Sequence, residues 1–407
     1  MRVTIFHSHF AAMGGAEVLL ATQARWLAAA GHAVRIVALR VDQQQCAVNI
    51  PDLPVTEIGM PKGVKRMESL TPALMQELVA RARPFLADTD VVMAYNYPTA
   101  PLTAASTTAR RVWYACEPYR SLYLREANPE AARHADRLRG DANDFATQQV
   151  SRRLKRRALV ARVLPWTGRQ QRELTAFDGQ GVRALDAVAS LSEYGAGCVR
   201  EATGRTDIEV IYPMVRFADS APARRGLRRS APQILVQTRL GIPKNIDTLI
   251  RGFALFRKVH RAAVLHVVGS GARRKALEKL ASAEAPDHVR FHGFLPTDAL
   301  DALSAQCDVF AFAPVDEPFG MVLPEAASRG LLLVGSDHGG PREILEAGAI
   351  GELCDPFSAE SIASALTRTL ALTDAEADAR RIAADRSVRA RFGADVVGRQ
   401  LETFLKG

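Results

Sequence analysis

The chain has 407 residues, 48% hydrophobic and 24% charged, enough for two domains with complete cores and ordinary for a globular protein. No window is apolar for the length that a spanning helix needs, and the opening 1–6 turns polar too soon for a signal peptide. Five scattered cysteines (Cys46, Cys116, Cys198, Cys307, Cys354) without a C-x-x-C pair argue against a disulfide framework or zinc site and for a reducing cytoplasm. The net charge of +9 is uneven: residues 110–172 hold fifteen basic and six acidic side chains, a surplus equal to that of the whole chain. The stretch 151–172 has eight basic residues and no acid, with Leu154, Ala158 and Ala161 at helical spacing. A solvated helix face and docking on an anionic membrane surface or phosphorylated lipid both stay open there. Nucleic acid lacks the aromatic interleaving or recognition helix that would support it.

In chain order, apolar 3–7 predicts a first strand, followed by a loop with Gly14-Gly15 and a helix over 18–30 that Gly31 ends. Strands follow at 34–39, 91–95, 111–115 and 187–190. The segment 219–232, rich in Pro, Ala and Arg without apolar period, reads as a linker. A second series has strands at 233–237, 264–268, 289–292, 308–313 and 331–334, with helices at 247–260, 272–283, 297–305 and 324–328 between them. Continuous Val/Leu/Ile strands separated by helices indicate parallel sheets covered on both faces. Two such series predict two doubly wound α/β domains around a cleft, with ligands at the carboxyl ends of the strands. The tail 388–407 carries Phe392, Val396, Val397, Leu401, Phe404 and Leu405 in a helical pattern.

The residues of chemical interest fall on strand-to-helix loops. Glu317 and Glu325 lie eight positions apart across Phe319-Gly320-Met321, where a short helix begins near Pro324 and ends at Gly330. Free amides at a helix start attract anions, and carboxylates hold hydroxyls, which is the mixture a sugar diphosphate requires. Solvated or capping glutamates are the ordinary alternative. Arg239 and Lys244 share the loop after 233–237, and paired cations of that kind can stabilise a departing diphosphate; two exposed loop cations are the alternative. Val268-Gly269-Ser270-Gly271 lacks the third glycine of the dinucleotide fingerprint and no suitable acid follows on a ribose strand, which argues against NAD binding; close packing of helix on strand is the ordinary alternative. Gly14-Gly15 let a ligand approach the backbone or make a tight turn. Phe294 lies against a flat base or packs in the core. Glu117 and Arg120, after strand 111–115, hold a hydroxylated acceptor or form a surface turn. No H-E-x-x-H, other metal spacing or G-x-S-x-G elbow occurs, so hydrolase and metalloenzyme readings lose support.

Together and in order, these pieces resemble the retaining nucleotide-sugar glycosyltransferases of family 4, over nearly the whole chain and most strongly from 234 to 353. The E-x7-E pair (Glu317, Glu325), the R…K loop (Arg239, Lys244), the V-G-x-G turn and Gly339-Gly340-Pro341-Arg342-Glu343 match the family's segments, as do Gly14-Gly15-Ala16-Glu17 and Val210-Ile211-Tyr212-Pro213. The resemblance implies a GT-B fold: an acceptor-side Rossmann-like domain over 1–215, a linker over 216–232, a donor-binding Rossmann-like domain over 233–387, and 388–407 crossing back onto the first domain. It implies that Arg239 and Lys244 hold the donor diphosphate and that Glu317 contacts the transferred sugar. Gly14, Gly15, Gly269, Phe319, Gly320, Met321 and Val322 would line the donor site, with Glu325 on the ribose and Phe294 at the base through its main chain. Tyr95, Cys116, Glu117 and Arg120 would face the acceptor. Cys116 stands where relatives with a C-H-E-P-P-R segment have histidine, and a thiol cannot replace a cationic or two-nitrogen imidazole near pH 7.

The activity implied is metal-independent, cofactor-free transfer of a hexosyl group from a nucleotide-diphospho-sugar to a glycan, lipid-linked or small-molecule acceptor. The "CEPYR" segment leans towards mannosyltransferases and GDP-mannose. A cytoplasmic protein is expected, peripheral on the inner face of the membrane if the basic stretch docks there, with no nucleic-acid partner. A nucleotide-sugar epimerase or hydrolase of the same fold, and a non-catalytic nucleotide-sugar-binding scaffold, remain as alternatives.

Overall fold

The computed structural model describes residues 1–10, 14–44, 46, 50–64, 67–137, 144–163, 165–219 and 226–407. They form two compact units: 1–127, 153–214 and 394–407 make the first, and 128–152 with 215–393 the second. Each is a parallel sheet with helices between its strands.

The first unit holds β1 (Arg2–Phe10), β2 (Ala33–Val41), β3 (Val55–Glu57), β4 (Val91–Ala94), β5 (Arg110–Ala115), β6 (Ala187–Ser190) and β7 (Ile208–Val210), in the order β3-β2-β1-β4-β5-β6-β7. Ile5 of β1 lies between Ile36 and Met93, and all three are buried. Each fully buried aliphatic side chain of this kind stabilises the fold by roughly 1.5–3 kcal/mol. The second unit holds β8 (Gln233–Gln237), β9 (Val264–Val268), β10 (Val289–Gly293), β11 (Val309–Phe312), β12 (Leu332–Ser336) and β13 (Glu352–Cys354), in the order β10-β9-β8-β11-β12-β13. Two doubly wound parallel sheets of seven and six strands are those of the GT-B fold class.

The interior strands agree with the apolar runs read from the sequence. The three strands that those runs do not reveal, β3, β7 and β13, are three residues long and lie at sheet edges. An edge strand is half-exposed and keeps no continuous apolar run. The sequence boundaries also differ from the observed division. Residues 128–152 belong to the second unit. Of the stretch read as a linker, 220–225 lies outside the described residues, while its flanks are tied into the second unit. The Val215 N–H donates to the Phe392 carbonyl at 3.0 Å, the Ala218 N–H to Ser328 Oγ at 3.1 Å and the Leu227 N–H to the Asp374 carboxylate at 3.3 Å.

The tail is two helices, Asp374–Phe392 in the second unit and Ala394–Lys406 in the first, broken at Gly393. Residues 388–392 therefore finish the preceding helix. Ala394–Lys406 packs on the first helix, Gly15–Ala29, through Gly398, where a Cβ would lie 2.0 Å from the Trp26 ring. Arg110 donates to the Phe404 carbonyl at 3.1 Å, and His32 meets Glu402 at 3.3 Å. Among the described residues no helix is long and apolar enough to cross a membrane.

Overpacking at such a contact typically costs about 1–3 kcal/mol. Gly398→Ala is therefore expected to lower the denaturant midpoint of the first unit, read by circular dichroism. Thr403→Ala, on the exposed face of the same helix, is the control and should change it little. An unchanged midpoint for Gly398→Ala would contradict this packing.

Candidate functional site

In a doubly wound sheet, the crevice for a ligand opens where the strand order reverses, outside the carboxyl ends of the two central strands. In the second unit that point lies between β8 and β11. The loop after β8 carries Arg239 and Lys244, and the loop after β11 carries Asp316 and Glu317. The Val315 N–H donates to the Pro243 carbonyl at 3.1 Å, which ties the two loops together. Lys244 Nζ donates to Glu317 Oε2 as an ion pair, with the ammonium 5.9 Å from the centre of the Phe312 ring. Arg239 is exposed and forms no ion pair among the described residues.

Glycines seat both loops. At Gly269, with φ +128°, a Cβ would lie 1.9 Å from the Thr238 carbonyl oxygen, and at Gly271 one would lie 2.4 Å from that of Leu240. The V-G-x-G turn therefore packs directly beneath the loop that presents Arg239. At Gly339, with φ +67°, a Cβ would lie 2.6 Å from the Glu317 carbonyl oxygen, and at Gly340 one would lie 2.3 Å from Phe319 Cα. The Gly340 N–H also donates to the Glu317 carbonyl at 2.9 Å. Two further residues that sequence reasoning missed complete the framework. Asn245, left-handed and buried, donates from Nδ2 to the carbonyls of Ala313 (2.8 Å) and Pro356 (2.7 Å). Asp316, at φ +55°, accepts the N–H groups of Glu130 (2.8 Å) and Ala131 (3.0 Å) and so holds the first turn of helix Pro129–Arg137. Their polar side chains beside Lys244 and Glu317 were the available signal.

Glu325 lies in helix Val322–Ser328; its main-chain carbonyl accepts from Ser328 Oγ at 2.8 Å and from Arg329 at 3.2 Å, while its carboxylate has no hydrogen-bond partner among the described residues. Burial pushes its carboxyl up to about 7, with Arg329 and Arg216 acting in the opposite direction. Phe319 is buried edge-on against Phe392 at 5.1 Å, so only its main chain can meet a ligand. Gly320, at φ +98°, and Met321 lead into the helix that Val322 opens. Phe294 is 80% exposed on the loop after β10, which excludes the core alternative.

In the first unit the reversal lies between β1 and β4. His7 Nε2 meets Glu17 Oε1 at 3.0 Å, and the Gly14 N–H donates to Glu17 Oε2 at 2.8 Å, so the Gly14 amide serves the cap of the helix that Gly15 begins. Burial holds the His7 imidazole below its ordinary range. For Glu17 burial raises the carboxyl, and the bonds from His7 and the backbone outweigh it, leaving a net downward shift. Tyr95 is fully buried with its hydroxyl donated to Gln23. Its reading as an acceptor contact is therefore corrected to one of core packing. Burial, then the charges of Glu117 and Glu17, push the Cys116 thiol far up, which keeps it protonated at neutral pH. Arg120 grips the Glu117 carboxylate at 2.7 Å.

Among the described residues, two groups bring metal-ligand atoms within 4.8 Å of one another: His7, His9 and Glu17, and Asp337, His338 and Asp355. In the first, both Glu17 oxygens already accept from His7 and Gly14. In the second, Asp337 meets His338 at 3.3 Å.

Residues 219–386 match the family described as "Glycosyl transferases group 1". The chain is 31% identical over 239 residues to the "GDP-mannose-dependent alpha-(1-6)-phosphatidylinositol monomannoside mannosyltransferase" of Mycobacterium tuberculosis, a match covering 54% of this chain and 62% of that relative. It is 28% identical over 232 residues to a glycogen synthase of the same organism, covering 56% of this chain and 55% of the relative. The chain thus spans less than two thirds of the curated relatives it matches. Among solved structures, the sucrose-phosphate synthase of Thermosynechococcus elongatus superposes with a TM-score of 0.75 at 18% identity, over 100% of this chain and 98% of that one. Anabaena HepE in complex with UDP and glucose superposes with a TM-score of 0.71 at 17% identity, over 100% of both chains. On a GT-B fold, the stretch that resembles the group 1 glycosyl transferases, 219–386, is thus the one that carries Arg239, Lys244, Glu317 and Glu325.

Proposed function

We propose that the chain is a retaining glycosyltransferase that moves a hexosyl group, mannose from GDP-mannose first among candidates, to a hydroxyl of a glycan, lipid-linked or small-molecule acceptor. The observation that carries this reading is the placement of Arg239, Lys244 and Glu317 on the two loops at the strand-order reversal of the second unit, with Lys244 paired to Glu317. The pair is largely shielded, so a diphosphate that replaces Glu317 as the partner of Lys244 keeps the ammonium compensated. Glu317 is then free to accept from sugar hydroxyls. The donor C1–O bond breaks as Arg239 and Lys244 take up the charge growing on the diphosphate. The acceptor oxygen bonds to C1 from the same face, and its proton passes to the leaving phosphate oxygen, which preserves the anomeric configuration. Glu325 holds the ribose hydroxyls and the main chain at Phe294 meets the base. These cations carry the electrostatic work, so no metal is required. The mannosyltransferase relative supports the choice of sugar. A cytoplasmic location with peripheral membrane contact through 151–172 belongs to the same proposal, and liposome sedimentation at low salt tests it: equal binding to neutral and anionic vesicles would exclude the membrane contact.

Glu325→Ala is expected to abolish most donor turnover while leaving the melting temperature near that of the wild type; wild-type rates with GDP-, UDP- and ADP-sugars alike would remove Glu325 from the site. A thermal-shift screen of those three donor classes identifies the base, since a ligand that binds only the folded chain raises its stability.

With its carboxyl at about 7, Glu325 is mostly protonated below neutrality. Its ionised form accepts hydroxyls best, so donor affinity is expected to rise with pH up to about 7 and then level off. The folded chain binds this proton more tightly than the unfolded chain, so the unliganded protein loses stability as pH rises from the ordinary glutamate range to about 7. Calorimetric melting across that range should show the slope in the wild type and a flatter profile in Glu325→Gln; identical profiles would contradict the assignment. Activity is expected to survive EDTA, and a complete loss restored by a divalent cation would overturn the metal-free mechanism.

A further inference from the structure

The first unit contains a cavity of about 350 Å³ between the loop 120–124 and the helices Phe145–Val163 and Pro165–Arg183. Four arginines line it, half-buried Arg120 and Arg157 and exposed Arg153 and Arg156, together with Ser121 and Gln171. Arg120 is paired to Glu117. Arg157 is half-buried and donates to the carbonyls of Ser121 at 2.9 Å and Leu122 at 3.3 Å, so its position is fixed by the loop it faces. Arg153 and Arg156 form no ion pair among the described residues. Burial first, and then the charge of Arg153, hold the Arg157 guanidinium below its ordinary range, while Glu126 acts the other way.

Arg153 and Arg156 are solvent-exposed, yet with Arg120 and Arg157 they border one concavity. Like charges this close repel one another, and the repulsion is relieved by an anion whose oxygens accept from several forks at once. Guanidinium groups suit a phosphate, which offers its oxygens in pairs, and the polar amide of Gln171 suits hydroxyls on the group that carries it. A cavity of about 300 Å³ or more is the size of a small-molecule site rather than of a single ion, on the order of that for a sugar or polyol phosphate.

We propose that this cavity is a phosphate-binding pocket for a phosphorylated polyol, built from Arg153, Arg156 and Arg157. Its occupant is the phosphate of the acceptor, either a soluble sugar phosphate or a lipid headgroup. The acceptor role rests on the transferase reading above, whereas the binding of phosphate does not.

Glycerol 1-phosphate is titrated calorimetrically into the full chain, with glycerol as the uncharged control. In parallel, the chain is sedimented with phosphatidylcholine vesicles that contain or lack phosphatidic acid. Saturable binding of glycerol 1-phosphate without preference for phosphatidic acid identifies a soluble phosphate; binding to phosphatidic acid vesicles alone identifies a lipid. In either case the double variant R153Q/R156Q should bind about tenfold more weakly or worse, and R153K/R156K should recover part of the loss. Circular dichroism melting establishes that the variants are folded, and the single variants R153Q and R156Q replace the double one if it is not. A GDP-induced thermal shift is read separately: its absence would count against the transferase reading and not against the pocket. Binding to neither probe, or undiminished binding in the folded variants, would overturn the proposal.

Discussion

The two loops at the strand-order reversal of the second unit depend on four places where a side chain cannot exist. Gly269 and Gly271 lie against the carbonyls of Thr238 and Leu240, and Gly339 and Gly340 lie against the backbone of Glu317 and Phe319. At each, a Cβ would sit 2.6 Å or less from a backbone atom of the loop above it. Interiors packed to that density cannot yield locally, so a methyl group at any of these positions moves the whole loop. The loops concerned are the two that present Arg239, Lys244 and Glu317. The glycines thus act at one remove from the chemistry: they set the height of the cations and the carboxylate above the carboxyl ends of β8 and β11.

On that frame the electrostatics follow. Lys244 and Glu317 neutralise each other, which lets both approach a crevice without an isolated charge in a partly desolvated place. Glu325 has no such partner, and burial answers by raising its pKa instead. The first unit uses the same physics differently. Glu17 is buried and fully paired with His7 and Gly14, and it stays charged. Cys116 is half-buried, and desolvation of its thiol with nearby carboxylates keeps it neutral. The basic surplus of the chain falls partly on one concavity: exposed Arg153 and Arg156 and half-buried Arg157 border it on the helix Phe145–Val163.

Much of this is legible in the sequence because buried parallel strands need continuous apolar runs. Gln233–Gln237 and Val264–Val268 are found where those runs predict them. The edge strands β3, β7 and β13 are not legible, since a three-residue half-exposed strand leaves no periodic signal. The loops at the strand-order reversal can also be read, through Arg239, Lys244 and the Glu317–Glu325 spacing. What each group does with its neighbours cannot. Tyr95 follows β4 at the expected crevice, yet tertiary packing encloses it and gives its hydroxyl to Gln23. Gly14 lies on the expected loop, yet its amide is taken by a glutamate three residues later. Asn245 and Asp316 carry no motif of their own, because their work is to bind backbone groups brought close only by the fold.

If the cations of the loop after β8 hold a diphosphate, the chain must distinguish GDP from GMP, and calorimetric titration of both into the wild type and Lys244→Ala decides the matter. GDP should bind the wild type at least about tenfold more tightly than GMP, as an added charge-assisted contact implies, and Lys244→Ala should remove most of that difference. Equal affinities for the two nucleotides in the wild type, or an undiminished preference for GDP in folded Lys244→Ala, would refute the assignment of these cations to the diphosphate.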